Sequence, residues 1–197
     1  MRPSSDFKLI AVTDGLISRL HVVEQMELLA RLRSSLRPDI IIFRDHAATD
    51  YALMARTYLE RTAALANLPE LALHTDISAA RELGLSSVHL PLPALRNADK
   101  ELLRSFGTVS TSVHSAADVR EALSLGANAL IAGHIYATDC KKGAAPRGLD
   151  FLRETVGLAG TVPVYAIGGI GFRRAQLAEL AAAGAAGACI RSAYMKL

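Results

Sequence analysis

The sequence has no tryptophan and few other aromatic residues, with five Phe and five Tyr among 197 residues. This scarcity excludes an aromatic sandwich core, although apolar residues make up 51% of the chain. The core must be aliphatic, which suits buried parallel strands and alanine-rich helices. Length and apolar content together indicate one globular domain, spanning residues 1–197.

Cysteine, clustered charge and long apolar runs are also scarce. Cys140 and Cys189 are too few for a disulfide framework, which is typical of a reducing compartment. The net charge of +3 comes from scattered residues and forms no basic stripe for nucleic acid. The longest uncharged stretch, residues 155–172, holds glycines and Pro163, so it predicts a buried strand rather than a membrane span. We therefore expect a cytoplasmic protein without nucleic-acid or membrane partners.

A short apolar run followed by a helix-like stretch recurs along the chain. Strands that alternate with helices run parallel, because each helix carries the chain back across the sheet. The pattern predicts a closed (β/α)₈ TIM barrel of the α/β class, with an open doubly wound sheet as the alternative. The predicted strands are residues 8–13, 39–44, 71–74, 87–90, 108–111, 127–132, 162–167 and 187–191. The predicted helices are residues 22–35, 51–66, 77–83, 99–105, 116–125, 149–156 and 173–183.

Few residues follow the eighth predicted strand. We therefore expect the eighth helix to be short or missing, with apolar surface exposed beside the first and last strands. Such a flank predicts a partner, which points to a homodimer or a larger homo-oligomer.

Two predicted loops supply the parts of a phosphate site. In TIM barrels the loops after strands seven and eight commonly bind phosphate. Gly168 and Gly169 allow a ligand to approach the backbone, whose N–H groups can face an anion. Arg191 and Ser192 add donors from the neighbouring loop. A simple tight turn at the two glycines is the alternative interpretation.

A polar loop at residues 133–143, with the sequence Gly-His-Ile-Tyr-Ala-Thr-Asp-Cys-Lys-Lys-Gly, follows the sixth predicted strand. It is too long and too polar for a simple connection, and is typical of a segment that covers a ligand. Thr138 and Lys141 are its candidate ligand contacts, since Lys141 can pair with a carboxylate or a phosphate. An ordinary surface loop is the alternative.

In chain order, these segments resemble the thiamine phosphate synthase/TenI superfamily. The resemblance covers residues 9–193 and includes Val-His-Ser at 113–115, Ala-Ile-Gly-Gly-Ile at 166–170 and Ser-Ala at 192–193. The loop at 133–143 looks especially like the TenI branch, the thiazole tautomerases. This resemblance implies a small thiazole phosphate as the ligand, and also a homo-oligomer.

The resemblance weakens where the synthases bind pyrimidine pyrophosphate. Their Gln-x-Arg-Glu-Lys motif corresponds to residues 42–46, Ile-Phe-Arg-Asp-His, which keeps Arg44 as a candidate ligand contact. Neither magnesium aspartate of the synthases is in place, and Asp76, one position along, is a weak substitute. Without carboxylate ligands Mg²⁺ would be poorly held. No histidine or cysteine pair has zinc-site spacing either, so we expect no metal and no cofactor.

The TenI resemblance implies an isomerase, a thiazole tautomerase of thiamine biosynthesis. Its substrate is the non-aromatic carboxythiazole phosphate made by thiazole synthase, and a proton moves from ring C2 to the exocyclic carbon. A histidine can remove and return a proton near neutral pH. His114 matches the family's catalytic histidine, and His134 and Cys140 are candidate second acid/base groups. The alternatives are a divergent thiamine phosphate synthase and a non-catalytic regulator that binds a thiazole phosphate.

The remaining histidines carry weaker predictions. His89 lies at a strand end that is commonly structural in the family. His46 and His74 lie on the former pyrimidine side, where they can shape the pocket.

Overall fold

Eight parallel strands close into a barrel in chain order, and each strand pairs with its two neighbours. This computed structural model describes residues 2–16, 20–45, 50–141 and 143–197, and leaves the side chain of Cys140 outside the description. The predicted (β/α)₈ barrel is confirmed, and the open sheet is excluded by the pairing of the first strand with the last. The strands are β1 (Lys8–Val12), β2 (Ile40–Phe43), β3 (Glu70–His74), β4 (Ser87–Pro91), β5 (Thr108–Val113), β6 (Ala129–Gly133), β7 (Val164–Ile167) and β8 (Gly187–Ile190).

The helices of the described residues follow the strands along the chain. One 3₁₀ turn, Asp139–Lys141, lies in the loop after β6. Among all the residues that the structure describes, no helix is both long and apolar enough to cross a membrane. The helices are α1 (Val22–Arg31), α2 (Tyr51–Thr62), α3 (Ile77–Glu82), α4 (Leu92–Asn97), α5 (Lys100–Leu103), α6 (Ala116–Ser124), α7 (Gly148–Ala159), α8 (Arg174–Ala182) and α9 (Ser192–Met195).

Side chains alternate between two apolar layers, because successive residues of a strand point to opposite faces. The outward-facing residues, such as Leu9 and Leu73, pack under the helices in the main core. Each fully buried Leu or Ile contributes about 1.5–3 kcal/mol to folding. A smaller inward-facing cluster fills the barrel itself with Ile10, Ile42 and Ile131 among others.

Acidic and hydroxyl side chains begin several helices. Asp50, Asp76 and Ser115 each accept a hydrogen bond from the backbone N–H three residues later. Each such cap stabilises its helix by about 1 kcal/mol, because it satisfies a donor that has no partner within the helix. Asp76 therefore has a structural role at the start of α3.

The short helix α4 was not predicted. It lies directly after β4 and is short, and Pro91 and Pro93 interrupt the apolar periodicity that would predict a helix. Proline is nevertheless tolerated in the first turn of a helix, whose N–H groups have no partner inside the helix.

The expected short eighth helix is confirmed, since α9 has four residues. The expected exposed apolar flank is found only in part, because Tyr194 and Met195 of α9 are buried whereas Leu16 and Leu197 are exposed. The Tyr194 hydroxyl donates to the carbonyl of Leu36 at 2.7 Å, and the Gln25 amide donates to the carbonyl of Tyr194 at 2.9 Å. This tyrosine therefore fastens α9 to α1 and to the segment that precedes β2.

Candidate active site

The carboxyl ends of the strands surround a cavity of about 870 Å³. This volume lies within the range of about 300–1,000 Å³ typical of ligand pockets. The structure brings together all but one of the predicted site residues, although the side chain of Cys140 lies outside the described part. Those that line the cavity are Arg44, His114, His134, Thr138, Lys141, Gly168, Gly169, Arg191 and Ser192.

The double glycine after β7 is explained by the close approach of the loop after β6. Gly168 and Gly169 have φ angles of +101° and +67°, which side-chain-bearing residues rarely adopt. A Cβ on Gly168 would overlap His134, and one on Gly169 would overlap the carbonyl of Ala137. Backbone hydrogen bonds at 2.8 and 3.1 Å, donated by Ile135 and Tyr136, join the two loops. The glycines therefore serve loop packing as well as lining the cavity.

A buried glutamine fixes the same loop from the helix behind it. The Gln176 side chain accepts from the N–H of Gly171 at 3.0 Å and donates to the carbonyl of Gly169 at 2.8 Å. Arg173, which precedes α8, also lines the cavity. Arg173 was not predicted as a site residue, although its place four residues after the double glycine was an available signal.

His114 lies at the end of β5, where one nitrogen of its ring is held by the backbone. Its Nδ1 lies 2.7 Å from the carbonyl oxygen of Gly133. A carbonyl oxygen only accepts, so Nδ1 carries the hydrogen and Nε2 of the neutral ring is left as a base. The backbone N–H of His114 donates to Asp118 at 2.7 Å, which fixes the start of α6 against the strand end.

His114 and the glycine loop are close enough to contact one small ligand. The strand register pairs Val113 with Ala132 and Gly133 with Ile167, so β5, β6 and β7 end side by side. Neighbouring strands lie about 4.8 Å apart, which separates the ends of β5 and β7 by about 10 Å. His114 and the glycine loop therefore face the same part of the cavity.

Buried Asp14, just after β1, lies between two arginines that line the cavity. Its carboxylate is 3.1 Å from the guanidinium of Arg191 and 3.9 Å from that of Arg44. The Thr13 hydroxyl lies 2.9 Å from both the N–H and the carbonyl of Arg44. The end of β1 therefore positions side chains that follow β2 and β8.

His89 is held inside the barrel by two hydroxyl groups. Its Nδ1 and Nε2 lie 2.9 and 3.2 Å from the Oγ atoms of Ser110 and Ser112. Burial first, and then the nearby charges of His74 and Arg44, together lower the pKa of His89 to about 3. The ring is therefore neutral at pH 7, as suits the structural role expected of it.

The other predicted groups lie around the rim. His134 lines the cavity, and its Nε2 is 3.4 Å from the carbonyl of Ala144. Lys141 is exposed in the 3₁₀ turn, and Thr138 precedes it. Lys196, which lies just after α9, also lines the cavity and was missed because only the closed barrel brings it there. His46 lies outside the described residues.

The side chains present do not suit a Mg²⁺ ion bound to a pyrophosphate. Asp76 accepts from the N–H of Ala79 at 2.9 Å and does not line the cavity. The Asp14 carboxylate is engaged with arginines. Over the described ranges no three His, Cys, Asp or Glu residues are grouped as metal ligands. Hard cations need several oxygen ligands, which these residues do not supply.

The sequence matches a family model described as "Thiamine monophosphate synthase" over residues 9–194. The chain belongs to this family. A relative from Geobacter sulfurreducens, named "Putative thiamine-phosphate synthase", is 31% identical over 96% of this chain and 87% of its own length. The thiamine monophosphate synthase family belongs to thiamine biosynthesis, so the resemblance inferred from the motifs is confirmed.

Other members of the thiamine monophosphate synthase family match over shorter stretches. The "Thiamine-phosphate synthase" of Neisseria meningitidis serogroup A is 39% identical over 49% of this chain and 48% of its own length. The matched stretch thus spans about half the length of this curated relative.

Among solved structures, "Thiamine phosphate pyrophosphorylase from Pyrococcus furiosus" shares 25% identity with a TM-score of 0.72. The match covers 98% of this chain and 89% of that one. A structure titled "Native KDPGal structure", at 15% identity and a TM-score of 0.63, shares the fold alone.

Proposed function

We propose that this protein is a thiazole tautomerase that converts the non-aromatic carboxythiazole phosphate of thiamine biosynthesis to its aromatic isomer. The observation that carries the proposal is the geometry of His114. Its Nδ1 is 2.7 Å from the Gly133 carbonyl, which leaves Nε2 as the base at the edge of the cavity. The same strand end lies two strands from β7, at about 10 Å, and the loop after β7 is one of those expected to bind phosphate.

The phosphate is proposed to bind at the loops after β7 and β8. Gly168, Gly169 and Ser192 allow close approach to the backbone, and the guanidinium of Arg191 supplies a charged donor. Lys141 and Thr138, in the loop after β6, line the rim of the same cavity. Because five Lys or Arg side chains but one acid, Asp139, line the described cavity, its charge favours an anion.

The reaction requires one proton to leave and return. His114 Nε2 takes the proton from ring C2, and the electrons of that C–H bond enter the ring. The electrons of the exocyclic double bond then take the proton back from the imidazolium at the exocyclic carbon. The ring becomes aromatic and the net charge of the substrate is unchanged. His134 or Cys140 would serve as the donor if the second transfer uses another group.

A divergent thiamine phosphate synthase is the second candidate. The names of the relatives favour it, and the retained Arg44 lines the cavity. It is weakened by the finding that no three His, Cys, Asp or Glu side chains of the described residues are grouped as metal ligands. A regulator that binds thiazole phosphate without turnover is the third possibility, and the cytoplasmic location and homo-oligomeric state expected from the sequence stay predictions.

The deciding experiment follows ring aromatisation by proton NMR on freshly made thiazole synthase product, with and without this protein. We expect aromatisation faster than the uncatalysed background. A parallel reaction supplies thiazole phosphate, pyrimidine pyrophosphate and Mg²⁺. Condensation there, without faster aromatisation in the first reaction, would replace the tautomerase with the synthase. Binding of the thiazole phosphate without aromatisation or condensation would support the non-catalytic regulator.

A further inference from the structure

Basic and histidine side chains lie on two sides of the cavity, and the proposed phosphate site occupies only one of these sides. Arg173, Arg191 and Lys196 lie on the side of β7 and β8. Arg44 and His74 lie on the side of β2 and β3. A ligand with a single anionic group would contact the basic side chains of the first side. It would make no contact with Arg44 and His74 on the second side.

The second side is built across three consecutive strands. Arg44 directly follows β2, His74 ends β3, and the register pairs His74 with His89 of β4. In a closed barrel of eight strands in chain order, β3 lies opposite β7. Arg44 and His74 therefore face the glycine loop of Gly168 across the mouth of the cavity.

His89 supports this side and does not compete for a ligand. Both of its ring nitrogens lie within hydrogen-bond distance of serine hydroxyls, and the buried ring is neutral. Its ring centre lies 5.6 Å from that of His74. The half-buried His74 thus rests on a fixed, uncharged neighbour at the edge of the cavity.

We propose that Arg44 and His74 form a second anion subsite, which binds the ring carboxylate of the substrate while the loops after β7 and β8 bind its phosphate. The inference rests on the proposed function, which supplies a ligand with two anionic groups. A guanidinium can donate two parallel N–H groups to a carboxylate, and an imidazole can donate one more.

This placement also orients the reacting atom. The substrate's C2 carries both the carboxylate and the proton that leaves. A carboxylate held at β2 and β3 and a phosphate held at β7 and β8 make the ring span the mouth. His114, on β5, lies between these two sides. The subsite is therefore expected to act on specificity and on the position of C2.

Calorimetric titration with two stable aromatic ligands tests the subsite, namely 2-carboxythiazole phosphate and the same phosphate without its carboxylate. We expect the wild-type protein to bind the carboxylated ligand about tenfold more tightly. Arg44→Gln and His74→Gln should each reduce this preference severalfold and leave affinity for the decarboxylated ligand nearly unchanged. Arg153→Gln, which removes an exposed arginine of α7, is the matched control.

Equal affinity of the wild-type protein for both ligands would overturn the subsite, and so would variants that weaken both ligands equally. The titration needs no turnover, so it separates the two proposals. Carboxylate preference without faster aromatisation rejects the tautomerase and keeps the subsite, whereas faster aromatisation without preference does the reverse. Circular dichroism of each variant checks folding, and His74→Gln leaves the Arg44–Asp14 contact intact if Arg44→Gln does not fold.

Discussion

The two sides of the cavity are constructed in different ways. The side of β6 to β8 depends on backbone, with two glycines at positive φ that are packed against the preceding loop. The side of β2 to β4 depends on side chains, with Arg44 and His74 placed beside a buried His89. A side built from backbone tolerates few substitutions, because its geometry depends on the two glycines. On a side built from side chains, a single substitution can change which ligand group is bound.

This difference accounts for where the family resemblance holds. The matching motif at residues 166–170 lies on the backbone-built side. The departures from the synthase motif, at Ile42 and at the missing aspartates, lie on the other side. The resemblance therefore implies that this chain shares the family's phosphate side and differs from the synthases on the side of the second ligand group.

His114 lies between the two sides, and its replacement gives the largest expected effect. His114→Gln keeps a polar side chain but removes the proton carrier, so the enzymatic part of aromatisation should fall about 10²- to 10⁴-fold. Affinity for 2-carboxythiazole phosphate should change little. Proton NMR and calorimetry measure the two quantities. His21→Gln, which lies outside the cavity lining, is the control, and an unchanged rate in His114→Gln would reject its role.

Gly168→Ala tests the backbone-built side. The new Cβ would meet His134 at a φ of +101°, so the free energy of unfolding should fall by about 3 kcal/mol and phosphate affinity should fall with it. Urea unfolding and titration with inorganic phosphate measure both. The matched variant Gly157→Ala adds its Cβ into open space within α7 and should be neutral or slightly stabilising. Equal effects of the two variants would contradict the packing argument.

His89 tests the side-chain-built half through its pH dependence. Because the pKa of His89 is about 3 in the fold and ordinary when unfolded, the unfolded chain binds more protons below pH 6.5. Stability from the neutral ring is complete above pH 6.5 and is lost progressively as the pH falls toward 3. At pH 5 the loss is about 2 kcal/mol. Urea unfolding at pH 7 and pH 5 should show this loss in wild type and not in His89→Gln; parallel curves would refute it.

The smallest expected effect belongs to the rim. Lys141 is exposed, so Lys141→Met should weaken phosphate binding less than about fivefold, with an effect that fades at high salt. Titrations at two salt concentrations measure it, with exposed Lys100→Met as control. A salt-independent, larger loss would show that Lys141 closes tightly over the ligand.

The barrel was predictable from sequence because its signal is repeated, with eight apolar runs in an order that parallel strands require. The phosphate side was predictable for a related reason, since Gly168 and Gly169 are adjacent in the sequence and directly follow a predicted strand. What was missed depends on closure of the barrel. The contact of Asp14 with Arg191 joins the ends of the first and last strands, and no local sequence pattern predicts a contact between such distant residues. The pairing of His89 with Ser110 likewise follows from the register of β4 and β5.

Tyr194 joins distant parts of the chain. The barrel is closed by the pairing of β8 with β1, and the buried Tyr194 donates to the carbonyl of Leu36 at 2.7 Å. During synthesis the open edges of β1 and β7 therefore stay unpaired until residues 187–195 have left the ribosome. Contacts between such distant parts of a chain form slowly, and exposed strand edges promote aggregation. A nascent chain stalled just before β8 should thus require a chaperone that the finished barrel does not.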